Sequence, residues 1–141
     1  MAASKTLRDV MSPDPVCLPS TATVLEAAQR MQQDDIGDVI VMDGDRVTGI
    51  VTDRDIVVRA VADGRDPSSC TVRDVCSGDL VTLSPDDTVK RATDLMKQKA
   101  IRRIPVCEDG RAVGIVSIGD LAIEANGEKA LADISAAPAN N

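Results

Sequence analysis

The sequence predicts an α/β fold assembled from two copies of one β-α-β-β-α unit. Three observations carry that expectation. Offset by 65 positions, residues 6–56 fall on residues 71–121 without a gap, and 20 of the 51 pairs are identical. Within each copy the apolar period switches from strand to helix, then to two strand-like runs, then back to helix. The two strand-like runs are split by turn residues, Asp43-Gly44-Asp45-Arg46 in one copy and Glu108-Asp109-Gly110-Arg111 in the other. Two copies of such a unit can bury a shared face and leave a pseudo-twofold cleft.

In the first copy residues 16–18 read as a short strand. Val24, Ala27, Ala28 and Met31 then recur at helical spacing, with Thr23 and Glu26 placed for a capping box. Residues 39–42 and 47–51 are β-branched runs forming a hairpin. The second run leads into Thr52-Asp53-Arg54-Asp55 and a helical pattern of Ile56, Val57, Ala60 and Val61. The second copy repeats this order, with a strand at 81–83, a helix at 89–99, a hairpin from 104–107 and 112–116, and a helix from Ser117 onward. This gives repeat 1 over residues 6–64, a linker at 65–70, repeat 2 over 71–126, and a helix end with a disordered tail over 127–141.

Hydrophobic residues make up 43% of the 141, yet Phe, Tyr and Trp are absent, so the core is expected to be wholly aliphatic. That absence removes the platforms on which single-stranded nucleic acids stack. A net charge of -7 repels phosphodiester backbones and anionic lipid surfaces alike, so neither nucleic acid nor membrane is an expected partner. No apolar run suits a leader peptide or a membrane span, which makes the expected location cytoplasmic. Cys17, Cys70, Cys76 and Cys107 form no C-x-x-C pair, and the chain has no histidine, so the usual mixed zinc sites are not expected and the thiols read as reduced. With no histidine base and no P-loop, no catalytic residues are assigned and an enzyme is not expected.

The chemistry concentrates in Gly49-Ile50-Val51-Thr52-Asp53-Arg54-Asp55 and Gly114-Ile115-Val116-Ser117-Ile118-Gly119-Asp120, two copies of G-I-V-[T/S]-x-x-D at a strand-to-helix junction. One reading is purely structural: a hydroxyl residue and an acid three positions later cap a helix and complement its dipole. The functional reading uses the same geometry as a nucleotide clasp. A phosphate would sit at the helix start with the Thr52 or Ser117 hydroxyl donating to it, and the Asp55 or Asp120 carboxylate would accept ribose hydroxyls.

Beyond these motifs, Arg8-Asp9-Val10-Met11-Ser12 leads the first unit, Thr23-Val24 and Thr88-Val89 open the first helices, and Ile101-Arg102-Arg103-Ile104-Pro105-Val106 leads into the last hairpin. In these segments the chain resembles a tandem pair of cystathionine-β-synthase (CBS) domains, a Bateman module, from Thr6 to about Glu124. It is similar in particular to small stand-alone bacterial pairs of the hypoxic response type. The resemblance implies two repeats packed sheet to sheet, a regulatory role, and clefts for AMP, ADP, ATP or S-adenosylmethionine, with no obligatory cofactor. It implies ribose contacts from Asp55 and Asp120, phosphate contacts from Thr52 and Ser117, and aliphatic walls from Val16, Ile50, Val81 and Ile115. Arg102 and Arg103 stand where such proteins carry a phosphate-reaching basic residue, whereas Gly37 and Asp38 stand there in the first repeat. The second clasp is therefore expected to bind phosphate better. The resemblance further implies a homodimer and an effector protein that the sequence does not identify; the competing reading is a ligand-independent dimeric scaffold.

Overall fold

Apolar, largely β-branched runs build the strands, and a hydroxyl residue, Thr or Ser117, stands at each α-helix start. In the computed structural model, which describes residues 5–76 and 80–124, the elements run α1 (Leu7–Val10), β1 (Ser12–Pro13), β2 (Cys17–Pro19), α2 (Val24–Asp34), β3 (Asp38–Asp43), β4 (Arg46–Thr52), α3 (Asp53–Asp55), a π-helical stretch (Ile56–Val61), α4 (Val72–Val75), α5 (Val89–Lys99), β5 (Arg103–Glu108), β6 (Arg111–Ser117) and α6 (Ile118–Glu124). The tail expected over 127–141 lies outside the described residues. Thr23 and Thr88 cap α2 and α5 by accepting from the N–H groups of Glu26 and Arg91, both at 3.1 Å. At Thr23 this is the forward half of the expected capping box.

The chain divides into two units, one within Pro15–Leu80 and the other joining the segment through Asp14 to residues from Val81 onward. In the first unit the strands order β2-β3-β4, with β2 parallel and β4 antiparallel to β3. Val24, Ala27, Met31, Val39, Val41, Val51, Ile56, Ala60 and Val72 form its aliphatic core. In the second unit the order is β1-β6-β5, both pairings antiparallel. Its core is Leu7, Leu83, Val89, Ala92, Met96, Ile104, Val106, Val116 and Leu121.

Folded units and sequence repeats are offset, because each repeat lends its opening segment to the unit built by the other. Leu7 donates its N–H to the Asp87 carbonyl at 2.9 Å, and Val72, its counterpart 65 residues on, donates to the Ala22 carbonyl at 2.8 Å. Likewise Val89 donates to Lys5 at 3.1 Å and Val24 to Cys70 at 2.8 Å. The same bonds thus tie α1 to the start of α5 and α4 to the start of α2.

One expected strand is shortened. Residues 81–83 make only a parallel bridge, Leu83 to Val106. In the first unit β2 is extended by Ile40 N–H donating to the Val16 carbonyl at 2.9 Å and Ser20 N–H to the Met42 carbonyl at 2.8 Å. The matching positions are Pro105 and Pro85, which have no N–H, so both flanking bonds are lost.

Both hairpins close through two residues, with Gly44 at φ 63°, and Asp109 and Gly110 at φ 53° and 81°. Each carries a bulge at the same register, after Val41 and after Val106. Gly114 is required for a different reason: a Cβ there would lie 2.5 Å from Met11 Sδ and 3.0 Å from the Ser12 carbonyl oxygen. Gly114→Ala is accordingly expected to push β1 off the edge of β6. The check is amide hydrogen exchange, which should accelerate at Ser12 and Ile115 while β3 and β4 keep their protection.

Candidate functional site

Strands β4 and β6 end on the clasp motifs in the same way. Val51 and Val116 are fully buried in the two cores, so Thr52 and Ser117, one residue on, turn to the opposite sheet face. Each chain end then enters a helix through a reciprocal capping box. Asp55 N–H donates to Thr52 Oγ1 at 3.1 Å and Thr52 N–H to Asp55 Oδ2 at 2.9 Å. Asp120 N–H donates to Ser117 Oγ at 3.3 Å and Ser117 N–H to Asp120 Oδ2 at 2.9 Å. All four residues are half-buried. Each hydroxyl accepts one bond and still has its own hydrogen to donate, and each carboxylate has used one oxygen in the box.

Strand register decides the charge facing each box. Asp38 is the direct cross-strand partner of Thr52, and Arg103 that of Ser117. Directly paired residues on antiparallel strands share a sheet face. The second clasp therefore shares its sheet face with a basic residue where the first shares it with an acidic one. A further difference lies at the first helical residue. Asp53 Oδ1 accepts the Arg54 N–H at 2.8 Å, which caps that donor from within the chain. Ile118 has no acceptor to offer Gly119 N–H. Among the described residues, three carboxylate residues, Asp38, Asp53 and Asp55, thus lie at or across from the first helix start, where the matching positions of the second hold only Asp120. Asp53 was not singled out by sequence reasoning, although its position after a hydroxyl N-cap was the available signal.

The remaining assigned residues are placed as follows. The Gly37 and Arg102 carbonyls accept the first helical N–H of Asp53 and Ile118, at 3.1 and 2.9 Å, so Arg102 contributes its backbone to the junction. Ile50 pairs with Ile40, and Ile115 with Pro105, placing both isoleucines on the clasp face two residues before the hydroxyls. Val16 and Val81 are half-buried and pack against their own units' cores. Arg59 Nε lies 3.7 Å from Asp55 Oδ1, one helical turn beyond the first box. Burial pushes up the pKa of the Cys76 thiol, and nearby Asp55 adds to the shift; burial alone pushes up that of Cys17. Both thiols therefore stay protonated at neutral pH. Among the described residues no helix is long and apolar enough to cross a membrane, and no three His, Cys, Asp or Glu side chains gather as a metal site.

The duplicated fold and motifs define a tandem-repeat module, and the comparisons give its family. The CBS domain family matches residues 7–61 and again 72–126, and the chain belongs to that family as a tandem pair. It is 35% identical to hypoxic response protein 1 of Mycobacterium tuberculosis over 118 residues, covering 83% of this chain and 82% of that protein. It is 36% identical over 116 residues to the uncharacterized protein MK0525 of Methanopyrus kandleri, covering 81% of this chain but only 57% of that one. The crystal structure of hypoxic response protein I with two coordinated zinc ions superposes with a TM-score of 0.76 at 32% identity, over 85% of this chain and 98% of that one. The CBS domain pair of protein MJ0100, in complex with 5′-methylthioadenosine and S-adenosylmethionine, superposes with a TM-score of 0.79 at 25% identity, over 89% and 99%.

Proposed function

We propose that this CBS pair is a sensor of small adenosine ligands, of the AMP, ADP, ATP or S-adenosylmethionine class, and that occupancy is passed to an effector protein through shape or association. The observation carrying this reading is the register of Arg103 across from Ser117, one turn from Asp120. The register sets a cationic residue beside a hydroxyl donor and the carboxylate boxed with it, a set that suits the phosphate and ribose of one nucleotide. The adenosine ligands of the MJ0100 pair support the same class. Coupling to the effector extends only as far as the ligand's affinity differs between two states. A homodimer is part of the proposal, because Val57, Val58 and Val61 stand 57%, 47% and 58% exposed on the π-helical stretch and Ile123 79% exposed on α6.

The competing reading, a ligand-independent dimeric scaffold, draws on the same boxes, since both are satisfied from within the chain. Calorimetric titration with AMP, ATP, S-adenosylmethionine and NADH separates the two. At least one ligand is expected to bind below millimolar concentration, and Asp120→Ala to weaken it at least tenfold. The variant also loses a cap worth about 1 kcal/mol, so its melting temperature falls under either reading. No binding by the wild type, with Asp120→Ala changing only the melting temperature, leaves the scaffold.

A further inference from the structure

We propose that Arg59 is a latch on the first clasp, holding Asp55 in an ion pair that an entering ribose must displace. The inference rests on the reading of these clasps as adenosine sites and adds a regulation that differs between them.

Both carboxylate oxygens of Asp55 are engaged from within the chain. Oδ2 accepts the Thr52 N–H at 2.9 Å, and Oδ1 lies 3.7 Å from Arg59 Nε. The Asp55 side chain is 17% exposed, and a ligand hydroxyl approaching Oδ1, the oxygen the capping box leaves unused, meets the Arg59 guanidinium there. Releasing Oδ2 would dismantle the helix start, whereas releasing Oδ1 requires only that a guanidinium swing away. The Arg59 side chain is 51% exposed and has water to swing into.

The backbone beneath it is held. Ile56 and Ala60, on either side, are 8% and 0% exposed in the unit's core. The stretch from Ile56 to Val61 is π-helical, with Ala62 N–H donating five residues back to the Val57 carbonyl at 2.8 Å, and Arg65 to Ala60 at 2.9 Å. Wide turns of this type are rare and concentrate at functional sites. In the second repeat the helix is α-type and the residue matching Arg59 is Glu124, of the opposite charge. Among the described residues, the first clasp has an arginine ion-paired to its carboxylate and the second has none.

Adenosine itself is the probe, since a neutral nucleoside reads the ribose contact without a phosphate. In full-length protein carrying Asp120→Ala, which leaves the first clasp as the reporter, Arg59→Gln is expected to raise adenosine affinity about two- to fivefold, the range an exposed ion pair spans. Arg59→Lys should restore most of the latch. Raising salt from about 0.01 M to about 1 M shortens the screening length from ~30 to ~3 Å, so it should raise first-clasp affinity with Arg59 present and leave Arg59→Gln unmoved. A melting curve for Arg59→Gln close to that of its parent excludes a folding effect. Unchanged or weakened adenosine binding in Arg59→Gln, with the wild type binding normally at the second clasp, overturns the latch alone. Failure of the wild type and every variant to bind adenosine overturns the adenosine reading beneath it.

Discussion

Leu7→Ala is expected to destabilise the protein by about 2–5 kcal/mol, the range for emptying a fully buried leucine site. Residues near a chain's start ordinarily tolerate truncation, but only where their burial and hydrogen bonds are slight. Leu7 has no exposure and sits in the core with Leu83, Ile104, Val116 and Leu121. Its N–H also donates to Asp87, which ties α1 to the entry of α5. The loss should therefore appear in the unit containing β5 and β6, although Leu7 belongs by sequence to the first repeat. Urea unfolding gives the total, and hydrogen exchange locates it. Protection should fall first at Ile104 and Val116, with β3 and β4 following only if the units unfold together. An effect confined to β3 and β4 contradicts the exchange of opening segments.

The repeat made most of this architecture legible, because its identical pairs are concentrated where backbone geometry or core volume is demanding. Thr23 and Thr88 marked helix starts, and Gly49-Ile50-Val51 and its copy marked the buried strand ahead of each clasp. The exchange of opening segments was not legible. Leu7 and Val72 have the same neighbours by pattern whichever unit they join, and periodicity reports the face of an element without naming its partner. The shortened strand at 81–83 was concealed for a related reason. Val81 and Leu83 keep the strand's side-chain pattern, while the missing donors belong to Pro85 and Pro105 on neighbouring segments. At the site, the hydroxyl-acid spacing fixed the boxes from sequence alone. Their inequality was expected from the resemblance at Gly37-Asp38 and Arg102-Arg103, whereas its geometric basis, Asp38 paired with Thr52 and Arg103 with Ser117, needs the turn and bulge positions that set the register. Arg59 stands four residues after Asp55, a spacing that suits an ordinary local ion pair, and its bearing on the clasp appears only once both oxygens of Asp55 are assigned.

Arg103→Asp places in the second clasp the residue that the first carries at Asp38, and is expected to weaken AMP and ATP binding about 10–100-fold. That is the range of a hydrogen bond to a charged group, about 1.5–3 kcal/mol, converted to affinity. Because Arg103 pairs directly with Ser117, the substituted carboxylate faces the position proposed for the phosphate, and lost attraction is compounded by repulsion. Ligands without a phosphate isolate the charge. Binding of 5′-methylthioadenosine should change less than about threefold, since the contacts proposed for it, ribose on Asp120 and adenine on Ile115, do not involve Arg103. Arg103→Lys should retain part of the phosphate affinity, because a point charge survives while the planar fork is lost. A parallel loss for 5′-methylthioadenosine and AMP would mean that Arg103 acts by holding β5 against β6. Equal affinities in wild type and Arg103→Asp would remove the phosphate from this position altogether, leaving the asymmetry between the clasps to Asp53 and the Arg59 latch.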